Sequence, residues 1–111
     1  MHELGLCESV VAAVERRAGS RPVARVRVRV GRLHHVHPEA FGQSFAVAAA
    51  GTVAEGAVAD LVLVPVAWTC ATCGHEGEAD ELPPACPSCG SVTLTLTGGD
   101  ELVLESIEYR A

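Results

Sequence analysis

The chain has 111 residues with 49% apolar content, enough for one domain or for a small domain with an additional module that a metal ion stabilises. Aromatic residues make up only 4%, so any core must be largely aliphatic. The longest apolar runs are too short to span a bilayer, and the N-terminus has neither the basic nor the apolar region of a signal peptide. We therefore expect a cytoplasmic protein with no membrane partner, in a reducing compartment where paired cysteines are more often metal ligands than disulfides.

The net charge of −6 is unevenly distributed along the chain. Seven of the eight arginines lie in residues 1–32, whereas eleven of the fourteen acidic residues lie in residues 33–111. A zinc module that holds nucleic acid needs cations to displace the counterions of the phosphate backbone. The acidic second part of the chain argues against a nucleic-acid partner.

The first half of the chain predicts two helices that flank a strand. Apolar residues recur at helical spacing over residues 3–18, which is typical of an amphipathic helix. Residues 23–30 alternate between apolar and basic side chains and predict a half-buried strand. After a loop at residues 31–37, Pro38 suits the first turn of a helix that runs to residue 50, with Gly51 as its C-terminal cap. The arginines of the strand form a solvated face or a surface for an acidic partner: Arg25, Arg27 and Arg29.

The second half predicts strands on either side of a cysteine-rich segment. Residues 60–68 predict a buried strand, residues 91–97 and 101–109 two alternating strands, and residues 98–100 a turn. The predicted fold class is α+β, in which two helices pack on a small three-stranded sheet and a zinc-ribbon-like module is inserted.

The predicted domain boundaries follow from the position of that insertion. The α+β lobe would comprise residues 1–67 and 93–111, and the zinc module would comprise residues 68–92. Such a short, loop-rich module could not build a core without its metal.

Four cysteines in two Cys-x-x-Cys pairs are the strongest chemical signal in the chain. They are Cys70, Cys73, Cys86 and Cys89. Two such pairs supply four thiolates at the spacing that a structural tetrahedral Zn²⁺ site requires. Two disulfides in a secreted protein and iron in a rubredoxin-like site are the alternatives.

The N-terminus carries a second candidate metal site. If Met1 is retained, its α-amine, the next backbone amides and the His2 imidazole lie within chelating distance of one ion, and Glu3 could add an oxygen ligand. Nitrogen ligands of this kind suit Ni²⁺ or Cu²⁺ in tetragonal geometry. The alternative is an exposed, solvated histidine near a terminus.

Three segments, taken in this order, resemble the HypA/HybF family of hydrogenase nickel-incorporation (maturation) proteins. They are the opening Met1-His2-Glu3-Leu4, residues 30–41 with their Val-Gly-Arg-Leu and Pro-Glu-Ala-Phe ends, and the two cysteine pairs. The resemblance covers essentially the whole chain. It implies transferable nickel bound at the N-terminus through His2, structural zinc held by the four cysteines, and a partner GTPase that helps to deliver nickel.

The chain departs from the family pattern at two places. His75 matches a histidine that some members carry beside the zinc site, but Gly90 stands where some members have a second one. His37 stands where some relatives have an acidic residue near the nickel. A scheme in which two histidines tune the zinc site therefore does not carry over to this chain.

The remaining histidines and the fifth cysteine have ordinary interpretations as well as functional ones. His34, His35 and His37 form a loop cluster that could bind metal or could simply be a polar surface loop. His75 could act beside the zinc ligands or be solvated. Cys7 lies on the apolar face of the predicted first helix, where a buried and inert thiol is expected.

No phosphate-binding loop or nucleophile–base arrangement is evident, so we expect no enzyme activity. The sequence favours a nickel metallochaperone that delivers Ni²⁺ to the large subunit of [NiFe]-hydrogenase with the help of a nickel-insertion GTPase. Whether the protein also supplies nickel to urease maturation proteins is left open by the sequence. A zinc-ribbon interaction adaptor without transferable metal and a rubredoxin-like electron carrier are the alternatives.

Overall fold

The described residues form two α-helices and six strands. In the computed structural model, residues 2–111 are described, without the side chain of His2. Residues 32–34 form a single 3-10 turn. None of the described helices is long and apolar enough to cross a membrane. The elements are α1 (His2–Ala18), β1 (Val23–Gly31), α2 (Pro38–Ala49), β2 (Val58–Val64), β3 (Val66–Cys70), β4 (Glu76–Ala79), β5 (Leu94–Gly98) and β6 (Leu102–Tyr109).

The chain divides into two compact units. The first comprises the chain up to Arg29 together with residues 36–62 and 102–111, and the second comprises residues 30–35 and 63–101. The second unit contains all four paired cysteines and extends beyond the segment 68–92. The predicted boundaries of an autonomous zinc module stay a prediction.

The first unit contains a three-stranded sheet in the order β2-β1-β6, together with the two helices. Helix α1 packs against α2 and against β6. The alternation predicted for β1 is observed, because its valines are buried while Arg27 and Arg29 are exposed. The α+β class, with two helices and small sheets, is confirmed. The buried apolar side chains of this unit are Cys7, Val10, Val11, Val14, Ala18, Val23, Val26, Val28, Phe41, Phe45, Ala49, Ala54 and Leu104.

Two arginines of β1, Arg25 and Arg29, form ion pairs with acidic residues on the neighbouring strands. The guanidinium of Arg25 donates to Asp60 on β2 at 2.7 Å, and Nε of Arg29 lies 3.6 Å from a carboxylate oxygen of Glu105 on β6. Because β1 is the central strand, these arginines pair with acidic residues on both neighbouring strands, β2 and β6, and do not lie at an edge of the sheet. The pairs are about half exposed, so each contributes roughly 0–1 kcal/mol.

The two helices follow their sequence signals to within one or two residues. Helix α2 starts at Pro38 and ends at Ala49, one residue before the predicted end, where the hydroxyl of Thr52 donates to the Ala49 carbonyl at 2.7 Å. Near the end of α1, the Arg17 guanidinium donates to the Leu104 carbonyl at 3.2 Å. A cationic side chain at this end also complements the helix dipole.

The second unit contains a separate antiparallel sheet in the order β4-β3-β5. The prediction of one strand over residues 60–68 is wrong, because Pro65 separates β2 in the first sheet from β3 in the second. Proline has no N–H to donate to a ladder, so a strand commonly breaks there. The strand predicted at residues 91–97 forms as Leu94–Gly98 and pairs with β3, and β4 was not predicted at all.

Three backbone segments of the second unit meet without side chains between them. A Cβ on Gly31 would overlap the Gly99 carbonyl, and a Cβ on Gly99 would lie 2.5 Å from Cα of Val66. Gly99 has a φ of 98°, a conformation that favours glycine. The amide of Leu33 donates to the Gly99 carbonyl at 2.9 Å, which holds the 3-10 turn against the turn predicted at residues 98–100.

Candidate metal centres

Each Cys-x-x-Cys pair forms a tight turn that brings two thiols to one side. The Gly74 amide donates to the Cys70 carbonyl at 2.9 Å, and the Gly90 amide donates to the Cys86 carbonyl at 2.8 Å. Both glycines have positive φ, of 78° and 80° respectively. Glycine is therefore required at the end of each turn by backbone conformation, as the sequence indicated.

The two turns place the four sulfur atoms at the corners of a small cluster. Sγ of Cys70 lies 3.6 Å from Sγ of Cys89, and Sγ of Cys73 lies 3.7 Å from Sγ of Cys86. All four sulfurs lie within 4.8 Å of one another. Four thiolates at the usual Zn–S distance of about 2.3 Å in tetrahedral geometry are separated by roughly 3.8 Å. The donor set therefore fits one tetrahedral ion.

The same geometry rules out the disulfide alternative for the structure in hand. A disulfide brings its two sulfurs to about 2.05 Å, whereas all five cysteines here are free thiols. Two of the cluster thiols, Cys70 and Cys86, are buried, and the other two are exposed.

Backbone amides and neighbouring thiols set the ionisation of the cluster. A hydrogen bond from the Cys73 backbone is the largest of the causes that lower the pKa of Cys70 to about 6. The Ser91 backbone acts to lower the pKa of Cys89, but partial desolvation and the three other thiols outweigh it and raise that pKa to about 12. The ion-free cluster therefore retains protons at neutral pH, and a metal must displace them.

A small apolar core supports the cluster from within the second unit. Trp68 is 4% exposed, and Val66, Cys70 and Cys86 share its core, with three leucines packed against them. Across the sheet, Gly77 lies opposite Trp68, and any Cβ there would overlap the indole. These contacts tie the positions of two cysteines to the packing of one tryptophan.

His75 lies beside this core and is itself exposed. Its ring is tilted by 48° against the indole of Trp68, with the ring centroids 5.4 Å apart. Its carbonyl accepts a hydrogen bond from the Cys70 amide at 2.8 Å. His75 therefore supports the first cysteine turn through its backbone and covers Trp68 with its side chain.

The predicted N-terminal site falls mostly outside the described residues. Met1 and the side chain of His2 are not described, so the proposed chelate stays a prediction. Glu3 is half-buried in the first turn of α1. Its carboxylate contributes to raising the pKa of Cys7, after burial, to about 11. That thiol donates to the Phe41 carbonyl at 3.4 Å, as expected of a buried and inert cysteine.

Among the described residues, the three loop histidines do not converge as candidate ligands of one ion. Nε2 of His34 lies 2.9 Å from the Asp100 carbonyl, which commits one ring nitrogen to a hydrogen bond. His35 has a φ of 54° and closes the 3-10 turn, and His37 is the exposed N-cap residue of α2. In the part of the chain that is described, the four cysteines are the only group of three or more candidate ligands that converge. The polar-loop interpretation is therefore favoured.

The family model for hydrogenase/urease nickel incorporation, a metallochaperone named HypA, matches residues 1–109. The chain belongs to the HypA family. It is 39% identical to hydrogenase maturation factor HypA 2 of Bradyrhizobium diazoefficiens, over 97% of this chain and 98% of that protein. It is 40% identical to hydrogenase maturation factor HypA of Methylocella silvestris, with the same coverage.

The fold agrees with that membership. The solution structure of the Ni metallochaperone HypA from Helicobacter pylori is similar to this chain with a TM-score of 0.69 and 26% identity, covering 98% of this chain and 97% of that one. The HypA family comprises nickel metallochaperones for hydrogenase and urease maturation. The resemblance noted in the sequence is thus confirmed at the level of the family.

Sequence reasoning missed the part that Trp68 and Gly77 play beside the cysteine cluster. The signal was available, because Val66, Trp68 and Cys70 occupy alternate positions and so share one face of a strand. A single tryptophan two residues before a metal-site cysteine, on the buried face, indicates a packing support for the site.

Proposed function

We propose that this chain is a nickel metallochaperone that binds Ni²⁺ at its N-terminus and delivers it to the apo large subunit of [NiFe]-hydrogenase. The observation that carries the proposal is the match of residues 1–109 to a nickel-incorporation family, which includes the opening Met-His-Glu. Relatives at about 39% identity, such as the Bradyrhizobium diazoefficiens protein, are hydrogenase maturation factors, which favours hydrogenase as the recipient.

His2 is the central nickel ligand in this proposal. The α-amine of Met1 and the adjoining backbone nitrogens complete a planar set with its imidazole, and Glu3 supplies an oxygen or orients the imidazole. Imidazole, amine and amide nitrogens must shed protons to bind the ion, so affinity falls as pH falls. This proton competition gives a ligand set from which the ion can be released to a recipient.

The four-cysteine cluster holds a structural Zn²⁺ in this proposal. Sulfur separations of 3.6 and 3.7 Å fit tetrahedral thiolate ligation, and a site with four protein ligands keeps no open position for an activated water. The ion fixes the second unit as a docking surface and does no chemistry. An iron-loaded, rubredoxin-like site would instead give a red protein.

The chain provides no machinery for nucleotide hydrolysis, so we assign it no enzyme activity. Energy for nickel transfer comes from a nickel-insertion GTPase, the first proposed partner, and the hydrogenase large subunit is the second. Urease maturation proteins are a further recipient group, consistent with the family description. We place this exchange in the cytoplasm, with neither nucleic acid nor membrane taking part.

Calorimetric titration of Ni²⁺ into untagged protein tests the nickel site. His2→Ala and a variant extended by one residue before Met1 should both lose specific binding, because one removes the imidazole and the other displaces the α-amine. His35→Ala is the matched control, since it removes an exposed histidine outside the proposed site. Zinc content should be equal in all four proteins.

Equal nickel affinity in the untagged, His2→Ala and extended proteins would refute the N-terminal site. If no form binds Ni²⁺ specifically while zinc stays bound, the zinc-ribbon adaptor becomes the better description. In a cell, His2→Ala should abolish hydrogenase maturation, and added nickel salt should partly restore it if delivery is the lost step.

A further inference from the structure

One face of the second sheet forms an open groove of about 490 Å³. Thr69 of β3 pairs with Glu76 of β4, and Ala67 pairs with Glu78. Directly paired residues project to the same face of a sheet, so these four side chains line the groove together. The intervening Trp68 projects to the opposite face, into the small apolar core. The groove therefore lies on the reverse side of the sheet from the core that supports the cysteines.

Small side chains form the floor of this groove, and two unpaired carboxylates lie beside it. The floor consists of Ala67, Thr69 and Thr97. Glu76 and Glu78 are exposed, and in the described part of the chain the side chain of neither is hydrogen-bonded or ion-paired. The short floor residues leave room for the aliphatic stems of long side chains whose charged ends contact the carboxylates.

The charge of the second unit sets the sign of a partner. This unit carries six acidic residues and one arginine, a formal net charge of −5, whereas the first unit carries −1. The arginine, Arg32, already lies 3.5 Å from a carboxylate oxygen of Asp80. Such a surface attracts a cationic segment and repels nucleic acid and other acidic surfaces.

The two glutamates suit an extended cationic segment rather than a metal ion. They are two positions apart on β4, about 7 Å along the strand. Among the described residues, only the four cysteines converge as a group of three or more candidate metal ligands. An extended segment presents every second side chain on one face with the same spacing, so cations at alternate positions match Glu76 and Glu78.

We propose that this groove binds an extended segment of a partner protein that carries arginine or lysine at alternate positions. Two of these cations pair with Glu76 and Glu78, and their stems lie over the floor of the groove. The proposal rests on the proposed function, because it gives the docking surface of the second unit a position and a class of partner. The ion pairs are exposed, so binding is weak and falls as salt is added.

Titration of two end-blocked peptides into ¹⁵N-labelled, zinc-loaded protein tests the groove. The peptides Thr-Arg-Thr-Arg-Thr and Thr-Thr-Arg-Arg-Thr have the same composition, but only the first presents both arginines on one face when extended. We expect the first to bind about two- to fivefold more tightly, because it forms one more exposed ion pair. Changes in amide chemical shift should be confined to β3, β4 and β5.

Removal of the two carboxylates measures their part in binding. Glu76→Gln/Glu78→Gln should raise the dissociation constant of the alternating peptide about fivefold or more and abolish the preference between the peptides. The matched control is Asp80→Asn/Glu81→Gln, which removes the same charge from exposed residues of the same unit that do not line the groove. It should change the constant by less than about twofold.

Tighter binding of the alternating peptide that is lost in Glu76→Gln/Glu78→Gln, but kept in the control, supports the proposal. Equal binding of the two peptides, equal weakening in the control, or no binding up to about 1 mM peptide overturns it. If circular dichroism or zinc content shows that the double variant is misfolded, the two single variants replace it. Unchanged constants in both single variants also overturn the proposal.

The proposed function is tested separately from the groove. The peptide titrations use protein without nickel, and Glu76→Gln/Glu78→Gln should bind Ni²⁺ as the wild type does. A wild type that binds no nickel refutes the proposed function and leaves the peptide result in force. A protein that binds nickel and neither peptide refutes the groove alone.

Discussion

Adding a single methyl group at Gly77 should loosen the cysteine cluster, although Gly77 is no ligand. The Cβ of Gly77→Ala would overlap Cζ2 and Cε2 of Trp68, which is 4% exposed and shares its core with Cys70 and Cys86. Neither the indole nor the strand pair can yield without moving this core. Overpacking of this kind costs about 1–3 kcal/mol.

Metal binding and folding of such a small unit are linked, so the cost should appear in zinc affinity. A loss of about 1–3 kcal/mol corresponds to a zinc dissociation constant raised roughly 5- to 150-fold. The matched control is Gly98→Ala on β5, whose Cβ would lie 3.4 Å from that of Ala67, an ordinary contact. That variant should hold zinc as the wild type does.

Competition with a chromogenic zinc chelator gives the affinity, and fluorescence gives the packing. Trp68 is the only tryptophan in the chain, so its emission reports on this core alone. Gly77→Ala should shift the emission to longer wavelength, as solvent reaches the indole. An unchanged emission spectrum together with wild-type zinc affinity would show that the reasoning from Gly77 to the cysteines is wrong.

Three further predictions concern the thiols. Cys70→Ser should lower zinc content by removing one of four ligands while the helices of the first unit stay folded, which atomic absorption and far-ultraviolet circular dichroism can check. Zinc affinity should fall as pH falls, because protons compete with the metal for the thiolates. The fall should be steepest below the pKa of Cys70, which is about 6. Competition with a chelator can be measured from pH 8 to pH 5, and a constant zinc affinity over that range would contradict this prediction. After zinc removal, Cys70, with its pKa lowered to about 6, should react with a thiol reagent at pH 8, whereas the buried Cys7, with its pKa raised to about 11 by burial and by Glu3, should react only after unfolding.

The elements that the sequence could predict are those with strong local patterns. The alternation of residues 23–30 and the helical periodicity of residues 3–18 each depend on one buried face, and both elements formed as expected. Strand β4 could not be predicted, because Glu-Gly-Glu-Ala has neither β-branched residues nor an apolar face. Only its pairing with β3 makes it a strand.

The assignment of strands to sheets was beyond the local pattern. A continuous apolar run over residues 60–68 does not say that the chain changes sheets at Pro65, or that residues 94–98 join the second unit. At the candidate site, the cysteine spacing predicted which residues converge. The support from Trp68 depends on strand pairing between Trp68 and Gly77, which spacing along the chain does not contain.

The contact of bare backbones at Gly31, Val66 and Gly99 has a consequence for how the protein is made. These residues are separated by 35 and 33 positions, yet none can reach its place in the second unit without the others. During synthesis, the first cysteine turn emerges long before Gly99 is available to complete the unit. Domains fold as units as the chain emerges. The segment that carries the cysteines therefore stays unfolded until Gly99 has emerged, when only β6 has still to be synthesised. The last ten residues complete the sheet of the first unit, so a ribosome that stalls within them releases a chain that contains the whole second unit but an unfinished first one.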